Sequence, residues 1–177
     1  MQNDKVRDLT KMAMCVALCC VTAYISFPLP FTPGLVTALT FALSLTAYLL
    51  TPRQTFIVIS IYILMGAVGL PVFAGGQGLS RLLSPVGGFY FAWIIAFSLL
   101  SMFKGETPSF KRYALANILI AVPITYLGGL ISMILLMEVG IFEALTMAVF
   151  PFIPGDILKA VAAAAVGVKV QKALGGQ

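Results

Sequence analysis

From Met12 to Phe103 the chain carries only two charged residues, Arg53 and Arg81, and between Met12 and Pro52 it carries none. Few folds tolerate that. An apolar run of about 20 residues matches the thickness of a bilayer's hydrocarbon core. In hydrocarbon each backbone N–H and C=O must be paired within the protein, which leaves helices or a closed barrel. The runs here are long and uninterrupted rather than alternating, so they are read as helices. Sixty per cent of residues are hydrophobic and 10% charged, against about a quarter charged in a soluble domain. The 177 residues leave room for roughly six spans with short connections.

Taken in order, the expected spans are Leu9–Phe27, Leu35–Leu50, Gln54–Leu70, Phe89–Phe103, Tyr113–Met137 and Ala144–Val170. The first is read as a span rather than a cleavable signal, because its apolar run is long and more of the same kind follow. Between the first two lies Pro28-Leu29-Pro30-Phe31-Thr32-Pro33-Gly34, too proline-rich to be helical. Between the third and fourth lies an irregular stretch, Pro71–Gly88, with five glycines together with Gln77, Ser80, Arg81 and Ser84. The last span is broken at Pro151–Gly155, and a helix is expected to restart at Pro154 with Asp156 in its first turn.

The basic residues fix an orientation. With the N-terminus cytoplasmic, Lys5, Arg7, Lys11, Arg53, Lys104, Lys111, Arg112, Lys169 and Lys172 all fall inside. Only Arg81 falls outside, with Lys159 inside the last span, as the positive-inside rule expects. The expectation is one all-α membrane domain over residues 1–177, a bundle of six transmembrane helices with both termini cytoplasmic. The proline turn, the glycine-rich stretch and the Asp156 end of the last span then converge on the outer face, as in a cavity lined by irregular backbone.

Within that cavity Asp156 and Lys159 are three residues apart, on one helical face. Ionisable groups inside a span are functional candidates, and a self-neutralising pair gains little over apolar residues. Arg81 offers a guanidinium suited to a carboxylate. Gln77, Phe73, Phe89, Tyr90 and Trp93 are weaker candidates, since loop glutamines cap local backbone and aromatics form interfacial belts. Glu138 and Glu143 are read as solvated loop acids. Cys15, Cys19 and Cys20, with no histidine anywhere in the chain, are read as small packing residues rather than metal or redox groups. The absence of a Walker-type loop excludes nucleotide hydrolysis by this chain. No nucleophile has a recognisable base, so catalysis is not expected. The dispersed positive charge is no nucleic-acid footprint.

Gly69-Leu70-Pro71-Val72-Phe73-Ala74-Gly75-Gly76, Pro85-Val86-Gly87-Gly88-Phe89, Pro28-Leu29-Pro30-Phe31-Thr32-Pro33 and Pro151-Phe152-Ile153-Pro154-Gly155-Asp156-Ile157-Leu158-Lys159, in that company, resemble the BioY family. These are the biotin-binding S components of energy-coupling factor (ECF) vitamin transporters. The resemblance covers nearly the whole chain. It implies high-affinity capture of biotin from the outer face of a prokaryotic plasma membrane, with no cofactor and no metal. It also implies docking onto a transmembrane coupling protein and a pair of cytoplasmic ATPases.

By the same resemblance, Asp156 and Lys159 match the ligand-contacting pair of the last helix, and Phe73 to Arg81, with Gly75, Gly76 and Gln77, match the segment covering the ligand. Tyr90 and Phe31 join this set as pocket wall and first-loop contact. Ala13 and Ala17 match the small-residue motif that meets the coupling protein. Ser84-Pro85-Val86-Gly87-Gly88 departs from the family's usual Gly-Pro-Thr-Gly-Gly, and Ala38 and Thr40 stand where a Gln-Thr pair is common.

Biotin's ureido ring and carboxylate can each be assigned to Asp156–Lys159 or to Arg81, and both orientations are compatible with the sequence. An S component for another small vitamin, a self-sufficient biotin facilitator and a scaffolding membrane subunit are the rival readings.

Overall fold

The computed structural model describes residues 2–175. A long helix α1 (Gln2–Ala23) leads into a two-stranded antiparallel hairpin, β1 (Ser26–Pro28) and β2 (Leu35–Thr37). The strands pair Ser26 with Thr37, Phe27 with Val36 and Pro28 with Leu35. Then come α2 (Leu39–Leu49), α3 (Pro52–Ala67), the short α4 (Leu79–Leu82) and α5 (Gly87–Phe103). One continuous helix follows as α6 (Phe110–Ala116), a π-helical segment (Asn117–Ala121) and α7 (Val122–Met137). Helices α8 (Ile141–Ala148) and α9 (Ile153–Gly175) close the chain.

Local chemistry accounts for the main boundaries. Thr51 and Gln54 form a reciprocal capping box with Pro52 at the first helical position, so α3 starts abruptly after α2. The C-terminal end of α2 is tied to α5: Lys104 donates to the carbonyls of Ala47, Tyr48 and Leu50, and Ser101 Oγ donates to Leu50 at 2.7 Å. Carbonyls of a last helical turn lack intrahelical partners, and here one ammonium collects them.

Helices α5 and α7 cross at glycines. A Cβ on Gly88 would stand 2.0 Å from the Gly128 carbonyl oxygen, and one on Gly128 2.4 Å from Ala92 Cβ. Ser132 Oγ donates to the Pro85 carbonyl at 2.6 Å beside the same crossing. Small residues that let backbones meet are the usual device of helix packing in lipid.

The restart of a helix at the last proline pair is as the sequence predicts, with Asp156 in the first turn of α9. Other boundaries differ. The expected span Leu35–Leu50 is divided, because Leu35–Thr37 satisfies its backbone in the hairpin and leaves α2 only 11 residues. The fourth span takes in the whole preceding glycine pair, Gly87 and Gly88, at the start of α5, and the fifth begins at Phe110. Among the described residues, one helix is long and apolar enough to cross a bilayer by itself, Phe110–Met137. Helices α8 and α9 qualify together as a pair bent by 46°. Helices α2, α3 and α5 are apolar but shorter.

Candidate functional site

The break before α9 directs Asp156 and Lys159 inward from its first two turns. Their side chains meet at 2.6 Å, and Asp156 is 9% exposed. The carboxylate has two further partners: Tyr126 donates to Oδ2 at 2.8 Å, and Thr40 to Oδ1 at 3.4 Å. Lys159 Nζ also donates to the carbonyl of Thr37 at 3.0 Å. Thus α2, α7, α9 and the hairpin are joined at one buried ion pair. A buried pair is expensive unless its remaining hydrogen-bonding capacity is used, and here most of it is.

Beside the pair lies a cavity with about 640 Å³ of empty space, the open solvent at its mouth included. Tyr62, Phe89, Tyr90 and Trp93 supply aromatic wall, Ala23, Leu35, Leu39 and Val86 aliphatic wall, and Phe152 and Gly34 part of the rim. Arg81, from α4, also lines it, with its guanidinium toward the Tyr90 hydroxyl. No carboxylate lies within ion-pair distance of Arg81 among the described residues, and its Nε is buried without a hydrogen-bond partner.

The glycine-rich segment fits closely over this arginine. Gly75 has φ +76°, and a Cβ there would lie 2.8 Å from Leu35 Cδ1 and 3.2 Å from an Arg81 terminal nitrogen. Only glycine meets both demands.

The residues predicted from sequence are therefore placed unequally. Asp156, Lys159, Arg81 and Tyr90 line the cavity. Phe73 stands behind the lining, its ring 5.5 Å from Tyr62 and 4.5 Å from Tyr90. Gly75 and Gly76 wrap Arg81. Gln77 is exposed, its carbonyl accepting from Ser80 Oγ at 3.1 Å. Phe31 is 58% exposed at the hairpin tip, outside the cavity. Ala13 and Ala17 are exposed along the outer side of α1, whose inner side buries Cys15, Cys19 and Ala23.

Tyr126 is the main residue absent from the sequence-based set. Thr125-Tyr126, two adjacent hydroxyl residues inside the apolar fifth span, are the signal that points to it. Thr40, Thr37 and Phe152 are reached only through tertiary contact.

The BioY family profile matches residues 1–176. Biotin transporter BioY2 of Lactococcus lactis subsp. cremoris (strain MG1363) is 32% identical over 180 residues, covering 98% of this chain and 95% of the relative. Biotin transporter BioY of Thermotoga maritima is 32% identical over 168 residues, 94% of this chain and 97% of the relative. A probable biotin transporter BioY of Pyrococcus horikoshii reaches 34% over 168 residues, 94% and 98%. In fold, the chain superposes on the 2.1 Å crystal structure of the S-component for biotin from an ECF-type ABC transporter, with TM-score 0.89 and 23% identity over 97% of this chain and 94% of that one.

Proposed function

The chain belongs to the BioY family, and from that premise we propose that it captures biotin at the outer face of the cell membrane. It acts as the non-catalytic S component of an ECF-type transporter. The observation that carries the ligand assignment is the unused hydrogen-bonding capacity of the ion pair. An ammonium has three donors, and Lys159 spends one on Asp156 and one on Thr37. A carboxylate has about four lone-pair sites, and Asp156 commits three, to Lys159, Thr40 and Tyr126. One donor and one acceptor remain side by side. The edge of a cyclic urea presents the complementary set, an N–H next to a C=O.

The ureido end therefore belongs at Asp156 and Lys159, and the carboxylate at Arg81. A carboxylate placed on Lys159 would instead face Asp156 at close range. The aromatic wall between suits the thiophane ring and valeryl chain.

The chain spans the membrane six times: α1, α2 with its hairpin, α3, α5, the helix Phe110–Met137, and α8 with α9. Both termini are cytoplasmic. The distribution of lysine and arginine supports this orientation, and the helix Phe110–Met137 is long and apolar enough to be one of the spans. The exposed small-residue edge of α1 at Ala13 and Ala17 is where the transmembrane coupling protein seats, with a pair of ATPases below it.

Equilibrium binding of radiolabelled biotin to the purified chain, with Asp156→Asn alongside, tests the assignment. Tight binding by the native protein and its loss in the variant is expected. A folded native protein that binds no biotin would overturn it, and binding of another vitamin instead would relocate the specificity within the same transport role.

A further inference from the structure

The cavity contains two further polar atoms that no protein group satisfies. Trp93 is 8% exposed and Thr125 6% exposed, both line the cavity, and both Trp93 Nε1 and Thr125 Oγ1 are buried without a hydrogen-bond partner. Unpaired buried donors are uncommon in native structures and call for a cause.

The two residues come from α5 and α7, the helices that cross at Gly88 and Gly128, and they face the same cavity. Neighbouring polar groups of the site have protein partners: the Tyr62 hydroxyl donates to Val72 at 3.0 Å, and Tyr126 donates to Asp156. An indole N–H can only donate. A packing role for the ring would be served equally by phenylalanine and would leave no buried donor.

We propose that Trp93 and Thr125 form a second polar subsite that donates to an acceptor atom of the ligand. This rests on the biotin reading, in which that atom is the ureido oxygen. A urea oxygen accepts more than one hydrogen bond, and Lys159 supplies the first. Trp93 and Thr125 are then specificity residues: they distinguish a cyclic urea from an analogue carrying a donor in place of its oxygen.

The chain's one tryptophan makes the test direct. In protein labelled with 15N at tryptophan, a single indole N–H resonance is expected, and it should move downfield on saturation with biotin. Trp93→Phe and Thr125→Val should each weaken biotin binding about three- to tenfold, the range of one lost neutral hydrogen bond. Both should narrow the preference for biotin over 2-iminobiotin, whose exocyclic nitrogen replaces the ureido oxygen. Desthiobiotin, which keeps the urea and lacks the sulfur, should lose affinity in parallel with biotin. An unmoved indole resonance in biotin-saturated protein, or variants with native affinity and an unchanged biotin-to-iminobiotin ratio, overturns the subsite while leaving biotin capture intact. A native protein that binds no biotin overturns the parent reading instead.

Discussion

At the residue scale the site rests on one carboxylate held by three donors. Replacing Asp156 with asparagine removes the charge that Lys159 and Tyr126 were arranged around. It also replaces an acceptor facing the ligand with an amide whose nitrogen competes with it. A hydrogen bond to a charged group contributes about 1.5–3 kcal/mol, so biotin affinity is expected to fall by roughly tenfold to over a hundredfold. Tyr126→Phe removes one donor and leaves the ion pair whole. Its expected loss is smaller, about three- to tenfold, in a protein that melts near the native temperature. Titration calorimetry of both variants in detergent separates the two, and a Tyr126→Phe effect exceeding that of Asp156→Asn would contradict this ranking.

The ion pair could be read directly from the chain, since an acid and a base three residues apart in an uncharged span announce themselves. Tyr126 could not, because a tyrosine in a span is equally at home packing its ring against neighbours, and its hydroxyl's target lies 30 residues away.

At the element scale the geometry depends on how closely α5 and α7 approach. Gly88→Ala would drive a methyl group to 2.0 Å from the Gly128 carbonyl oxygen, a backbone atom that can yield only if the helices part. Overpacking of this kind costs about 1–3 kcal/mol. The expected result is a lower unfolding temperature in detergent and weaker biotin binding together, because the same crossing positions Trp93 and Thr125. A stable variant with impaired binding, or the reverse, would separate packing from recognition.

Lys104→Met offers the contrast. It releases the carbonyls of Ala47, Tyr48 and Leu50 at the far end of α2, so stability should fall while biotin affinity holds, as thermal melts and binding on the same sample will show. Helices were legible wherever apolar runs met clear punctuation, as at Thr51-Pro52 and at Pro154. The hairpin was not: Leu35-Val36-Thr37 continues an apolar run into α2, and only its pairing with Ser26–Pro28 makes it a strand. Periodicity cannot register a partner supplied by another part of the chain.

At the scale of the whole molecule, the proposed function assigns different tasks to two faces. The cavity lies between the hairpin, α4 and the first turns of α5 and α9, whereas Ala13 and Ala17 lie along the exposed side of α1. Substituting tryptophan at either alanine should leave biotin binding in detergent within about twofold, since neither residue borders the cavity. Uptake into vesicles with the coupling protein and ATPases should be severely reduced. Lost binding in the purified variants would tie Ala13 and Ala17 to the site rather than to the docking surface.

Lys159 belongs to two parts of the protein at once. Its ammonium grips Asp156 on the helix and the Thr37 carbonyl at the base of the hairpin, and the loop of the hairpin in turn rests on α8, where Thr32 Oγ1 donates to the Met147 carbonyl at 2.6 Å. On the proposed binding mode, a molecule that takes the last free proton of that ammonium is coupled through Lys159 to the hairpin. Residence time would then depend partly on how firmly the hairpin is held. Loosening the hairpin, by Thr32→Val for instance, should accelerate escape while leaving the rate of capture almost as it was.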